Sequence, residues 1–147
     1  MRRGGIAWLL AASLFVYGAG CGDGDSATPA YTLEFAVTTP GRIGALQFEV
    51  EHLGSSGGFI GRGDAVDCEP LVDAIVASNS PGERILKVGL ISLDGIPVPA
   101  AILRCGFQTT EEVSPSSFNV AVTDASRTDG SELDPPPTVV ISSVTPR

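Results

Sequence analysis

Histidine, basic residues and aromatic residues are scarce in this chain, and each shortage disfavours a class of function. The one histidine among 147 residues, His52, is too few for most catalytic schemes built on imidazole. Nine Lys and Arg stand against seventeen Asp and Glu, so at a net charge of -8 we expect no nucleic-acid partner. Aromatic residues make up 6% of the chain, which disfavours a planar row of exposed rings for binding sugars.

The N-terminal apolar run is too short to cross a membrane. Residues 6–16 are uncharged and apolar, whereas a membrane-spanning helix needs about 20 such residues. Arg2 and Arg3 precede the run and the small residues 18–20 follow it, which predicts a signal peptide over residues 1–20. The segment resembles a bacterial lipoprotein signal. That resemblance implies that Cys21 is lipidated and becomes the first residue of the mature protein.

The alternative at this end is a secretory signal cleaved nearby, with Cys21 left as a free thiol. Residues 21–30 carry Gly, Asp, Ser, Thr and Pro with almost no apolar content, and they predict a flexible tether. The folded domain is therefore expected over residues 31–147.

Cysteine usage predicts one disulfide. If Cys21 carries lipid, Cys68 and Cys105 remain as an even pair in an exported chain. In the loop-entropy model a bridge of this span stabilises the fold by about 4 kcal/mol. The alternative is two buried free thiols. Zinc binding by the pair is disfavoured, because a structural zinc site takes four ligands.

Alternating apolar and polar residues predict an all-β fold. The 18 glycines and 11 prolines favour short strands joined by turns. Residues 42–51 show the pattern most clearly, with one face buried and the other wet: Leu46, Phe48 and Val50 face inward, and Gln47, Glu49 and Glu51 face outward. This strand is expected to span about residues 43–52, and further strands are predicted at residues 31–39, 65–68, 84–92, 101–108, 118–124 and 138–145.

Turns are expected at Pro40-Gly41 and, as a hairpin, at Asp94-Gly95. Residues 71–76 are ambiguous: Pro70 could begin a helix there, but the segment is short and contains β-branched residues, which favours a strand or one irregular turn. The spacing of these elements predicts an antiparallel β-sandwich of about eight or nine strands.

The loops offer no recognisable catalytic or metal-binding constellation. The glycine-rich residues 52–64 predict a mobile surface loop, in which Ser55 and Ser56 would not be held as nucleophiles. The acidic residues 124–137 carry oxygen ligands suited to calcium but lack the spacing of an EF-hand loop. We therefore predict no catalytic residue, no cofactor and no metal ligand.

Five segments together resemble a cohesin-type domain over residues 31–144: IGALQFEVEH, FIGRGDAVDC, ILKVGLISLDGI, AAILRCGF and SSFNVAVTDASRTDG. The resemblance implies a jelly-roll β-sandwich of about nine strands. It also implies a non-catalytic module that binds dockerins and takes part in polysaccharide-degrading assemblies. Carbohydrate-binding modules share the same sandwich.

The resemblance and the signal together predict a binding module anchored in the bacterial cell envelope, facing the periplasm or the exterior. The expected partner is a dockerin-like or other envelope protein, and the lipid on Cys21 is the only expected membrane contact. The alternatives are a carbohydrate-binding module whose partner is a polysaccharide, and a structural envelope lipoprotein. A secreted hydrolase is the least favoured class.

Overall fold

The computed structural model describes residues 27–147, which form strands and one short 3-10 helix at Pro115–Ser117. The strands are β1 (Ala30–His52), β2 (Gly58–Phe59), β3 (Cys68–Pro70), β4 (Ile75–Gly82), β5 (Ile85–Gln108), β6 (Phe118–Ser126) and β7 (Val139–Pro146). Within this part of the chain no helix is long and apolar enough to span a membrane. The predicted signal peptide and lipidation at Cys21 lie outside the described residues.

Two long strands organise the sheet. β1 and β5 pair antiparallel from Ala30 opposite Gln108 to Glu51 opposite Ile85. The first half of β1 also pairs with β7, and its second half pairs with β6. On the far side of β5, β4 pairs with the first half, and β3 and β2 pair with the second. All the pairings are antiparallel and join seven strands in one sheet.

The sheet curls so that its two halves share one core. The rings of Phe35 and Phe48, in the two halves of β1, have centroids 5.6 Å apart. In a straight strand these two residues would lie roughly 40 Å apart. The β1–β5 register shifts between Val37 and Gly41 and again between Ile43 and Ala45, which marks the bend between the halves.

The predicted turns at Pro40-Gly41 and Asp94-Gly95 are wrong, because the chain continues through both as strand. Gly41 pairs with Val98, so β1 and β5 bend together at the same level. Gly95 has a φ of 77°, and a Cβ there would lie 2.6 Å from Cγ of Arg42. A bend inside a strand requires glycine for the same steric reason as a turn does. The local sequence therefore does not distinguish the two.

The inward face predicted for residues 42–51 is confirmed, and the same alternation holds in three other stretches. Twelve buried side chains follow the alternation in four stretches: Leu33, Phe35 and Val37; Leu46, Phe48 and Val50; Leu86, Val88 and Leu90; Leu103, Cys105 and Phe107. Ile102 is buried as well as its neighbour Leu103, because the register shift after Phe35 turns both inward. Phe118 is buried, whereas Val120 and Val122 on the outer strand β6 are half-buried.

The glycine-rich segment is more ordered than the sequence predicts. Gly58 and Phe59 form β2 against the end of β5, and Phe59 is buried. His52, expected at the start of a surface loop, is buried at the end of β1. Of the ambiguous residues 71–76, the first four are bends and β4 begins at Ile75.

Candidate binding surfaces

The disulfide between Cys68 and Cys105 is present. The two residues are direct cross-strand partners in β3 and β5, and Cys105 is fully buried. β3 contains only three residues, so its own ladder hydrogen bonds are few. The bridge therefore fastens the connection between β2 and β4 to the second half of β5.

Polar side chains hold the loop that follows β1. Ser55 Oγ donates to Glu111 Oε1 at 2.5 Å, and Thr109 Oγ1 donates to the Ser56 carbonyl at 3.2 Å. Arg84 Nη1 donates to the Gly54 carbonyl at 2.8 Å. The hydrogen bond from Ser55 stabilises the ionised form and lowers the pKa of the Glu111 carboxyl. These contacts order a segment that its glycines alone would leave mobile.

An open groove of about 530 Å³ borders this loop, and we call it the loop-end groove. Its lining mixes polar and apolar groups. Phe59 and Ile60 contribute apolar surface, and the following side chains can hydrogen-bond: Thr28, Ser56, Arg62, Glu83, Gln108, Thr109 and Thr110. The groove is shallow, and Arg62 and Glu83 are its charged side chains. It offers a ligand both hydrogen bonds and apolar contact.

His52 belongs to an aromatic cluster and not to a proton relay. Its side chain is 2% exposed, and its ring centroid lies 4.7 Å from that of Phe107 and 5.0 Å from that of Phe118. Nδ1 has no hydrogen-bond partner among residues 27–147. No hydrogen bond in this part of the chain joins His52 to Ser55 or to Glu111, which bond to each other. The Ser55 hydroxyl is therefore not paired with the imidazole, and it donates to the Glu111 carboxylate instead.

Burial sets the protonation state of His52. Desolvation lowers its pKa from the ordinary value, the negative charge of Glu111 opposes that shift, and the positive charge of Arg84 adds to it. The folded protein therefore favours the neutral imidazole.

We expect the fold to lose stability through His52 as the pH falls below about 6.5, the ordinary histidine pKa. There the unfolded chain takes up the proton before the folded chain does. Above that pH both states are neutral and the contribution is constant. A His52→Phe variant keeps a ring and removes the titration. Its thermal midpoint should fall less than that of the wild type between about pH 7 and about pH 5. The carboxylates contribute equally to both proteins, so the difference between the two reports the titration of His52. Identical changes of the thermal midpoint with pH in the two proteins would contradict the expectation.

The outer face of β4, β5, β1 and β6 presents three rows of side chains across the sheet. Asn79, Lys87 and Glu49 form the first row, Ala77, Gly89 and Gln47 the second, and Ile75, Ile91 and Ala45 the third. Lys87 and Glu49 make an exposed ion pair at 3.4 Å, and a shallow groove of about 640 Å³ crosses the first two rows. The third row is apolar.

Two residues of the third row, Ile75 and Ile91, form an exposed apolar patch together with Leu93. These side chains are 75%, 55% and 91% exposed and border one shallow groove, with Asp73 and Asp94 at its rim. Among the described residues, the remaining large exposed apolar side chain is Leu53, which lies apart from the patch, just beyond the end of β1. The patch is therefore a local concentration of exposed apolar surface and not a scatter of single residues.

One carboxylate of the acidic loop after β6, that of Asp129, is hydrogen-bonded within the loop. Asp129 Oδ1 accepts hydrogen bonds from the Ser131 backbone N–H at 2.9 Å and from its hydroxyl at 2.6 Å, which lowers the pKa of Asp129. Across residues 27–147 no three His, Cys, Asp or Glu side chains lie together as metal ligands.

The sequence contains a signal for the apolar patch. Ile91 and Leu93 fall on the face opposite to Leu86, Val88 and Leu90, so the strand alternation itself assigns them to the wet side. Because the predicted strand ends at residue 92, the sequence places Leu93 just outside it. Ile75 lies in the ambiguous segment.

The fold and the bridge define a class: a disulfide-linked, antiparallel all-β protein with a curled sheet. No protein-family model, curated protein or solved structure matches this chain.

Proposed function

We propose that this protein is a non-catalytic binding module of the cell envelope that engages a protein partner through the outer face of β4 and β5. The observation that carries the proposal is the exposed apolar patch of Ile75, Ile91 and Leu93. Exposed apolar patches on soluble domains are typical of protein–protein contact. Rigid strands hold all three side chains, so little conformational entropy would be lost on binding.

A cohesin-like β-sandwich is the architecture that we propose for this module. The curled sheet, with two halves around a shared core, supports a two-layer arrangement of the kind found in jelly rolls. The sequence resemblance supports the same assignment. The partner would then be a dockerin-like protein or another envelope protein.

The anchor is a separate part of the proposal. A lipid on Cys21, followed by a short tether, would hold the domain at a membrane surface, and the lipid would be the only membrane contact. Two or more acyl chains anchor a protein stably, whereas one binds marginally. Mass spectrometry of the mature N-terminal peptide distinguishes a lipidated from a free cysteine.

Capture of a protein partner is expected to depend on the apolar patch. The protein would be used as bait in envelope extract, and each captured protein would be purified and remixed with three baits. The Ile91→Ser and Leu93→Ser double variant should bind at least about tenfold more weakly than the wild type, because buried apolar anchors carry much of an interface's energy. Leu53→Ser alters another exposed leucine, which is 61% exposed and lies outside the patch. It is the matched control and should bind like the wild type.

Equal binding by all three baits would contradict the proposal. The same proteins would be tested on a polysaccharide panel and in a general hydrolase screen. Tight polysaccharide binding with no protein partner would favour the carbohydrate-binding alternative. Turnover of a glycoside or ester, abolished by one carboxylate substitution or by Ser55→Ala, would overturn the non-catalytic assignment.

A further inference from the structure

β4 has one edge that no described strand covers. Its partner on one side is β5. On the other side, the Ser80 N–H donates to the Gly63 carbonyl at 2.9 Å, and the two residues form an isolated bridge. Backbone groups of alternate residues in a strand point to the same side. Val76 and Ser78 therefore direct their N–H and C=O groups to the side that Ser80 faces.

These backbone groups have no backbone or side-chain partner among residues 27–147. An open strand edge of this kind is a template for another strand, and soluble proteins commonly block it with Lys, Pro or a bulge. Residues 75–79 contain neither Lys nor Pro, and their register with β5 is regular. Gly63 and the irregularity after Asn79 block only the far end of β4.

Side chains beside the open edge indicate which kind of segment it suits. Ile75 on β4 lies directly opposite Ile91, and Leu93 extends the patch along β5. Asp73 and Asp94 are exposed at the rim of the same groove, and neither carboxylate belongs to an ion pair in the described part of the chain. A strand added to β4 would thus meet apolar surface on one face and two free carboxylates near one end.

Charge disfavours a second copy of this chain as the occupant. Each copy carries a net charge of -8 and would bring the same carboxylates to the contact. A segment carrying Lys or Arg would instead be attracted to Asp73 and Asp94.

We propose that the open edge of β4 accepts an extended segment of a partner protein by strand addition. Val76 and Ser78 pair with its backbone, the apolar patch contacts its alternate apolar side chains, and Asp73 and Asp94 attract a Lys or Arg within it. The proposal rests on the proposed function in taking the partner to be a protein. It goes further by naming the edge, the backbone pairing and the chemistry of the segment.

The test uses the full chain and a fluorescent synthetic peptide in which Ile and Val alternate with Thr and one end carries Lys, measured by fluorescence anisotropy. N-methylation of one alternate set of peptide amides should abolish binding, and methylation of the other set should leave it nearly unchanged, because only one set faces β4. A peptide with Glu in place of Lys should bind at least about tenfold more weakly. Equal tolerance of both methylated sets, or no binding of the Lys peptide, would overturn the proposal.

Substitutions in the protein provide the reciprocal test. Ser78→Pro removes one outward N–H and should weaken peptide binding about tenfold, whereas Ser78→Ala changes the same side chain, keeps the N–H and should bind like the wild type. Thermal unfolding checks that both variants are folded. If Ser78→Pro does not fold, the methylated peptides alone test strand addition. Sedimentation of the wild type as a dimer that Ser78→Pro converts to monomer would identify a second copy as the occupant and overturn the proposal.

The two proposals can fail separately. Patch-dependent capture of a protein whose binding Ser78→Pro does not weaken would overturn strand addition and leave the proposed function standing. Peptide binding with the expected methylation pattern, but with no patch-dependent protein partner from the envelope, would support strand addition and contradict the proposed function.

Discussion

Reduction of the Cys68–Cys105 bridge is expected to lower the free energy of unfolding by about 4 kcal/mol, the value that the loop-entropy model gives for a closed loop of this length. The sequence separation is 37 residues. The loss is large beside the roughly 5–15 kcal/mol by which domains are ordinarily stable. The bridge also holds β3, whose three residues contribute few ladder hydrogen bonds of their own.

Urea unfolding of the oxidised protein and of the reduced, alkylated protein measures this loss. A protein treated with the alkylating reagent but not with the reductant is the control for the alkylation itself. A Cys68→Ala and Cys105→Ala double variant, which adds no bulky group, should show a similarly lowered midpoint. If reduction leaves the urea midpoint unchanged, the bridge is not a stabilising element of this fold.

Replacement of Phe107 by alanine should cost about 3–5 kcal/mol, as is typical when a buried aromatic side chain is truncated. Phe107 is fully buried, and its ring lies 4.7 Å from His52, 5.3 Å from Phe59 and 5.1 Å from Phe118, measured between centroids. The truncation removes the one ring that contacts the other three. It also removes the packing partner of Phe59, which holds β2 against β5.

The matched control for Phe107→Ala is Gln108→Ala. Gln108 is the next residue of β5 and is exposed, so its truncation should change the free energy of unfolding by less than about 0.5 kcal/mol. Chemical denaturation of both variants gives the comparison. Equal, small losses would mean that the aromatic cluster contributes little to the core.

Strand alternation in the sequence was sufficient to predict the inward faces but not the connections between strands. Burial of Leu46, Phe48 and Val50 depends only on a period of two and on one covered face. Whether Asp94-Gly95 reverses the chain depends on its partner strand. Here β1 bends at the same level as β5, so the glycine serves a bend inside a long strand.

The candidate surface was also harder to predict, because it depends on which strands pair and in what register. Ile91 could be assigned to the wet face from the sequence, but its pairing with Ile75 requires the β4–β5 register. The open edge of β4 likewise follows from strand order, which no local pattern specifies. His52 is the converse case: its glycine-rich flank predicted a surface loop, whereas the aromatic cluster around it is assembled from β1, β5 and β6.

Hydrogen exchange of the protein, alone and bound to its captured partner, tests the central claim most directly. The claim is that the partner contacts the outer face of β4 and β5 and the open edge of β4. We predict slower exchange in the complex at Val76 and Ser78, whose amides have no partner among the described residues, and unchanged exchange at Ser55 and Ser56 beside the loop-end groove. Protection confined to Ser55 and Ser56, with Val76 and Ser78 exchanging as in the free protein, would contradict the account.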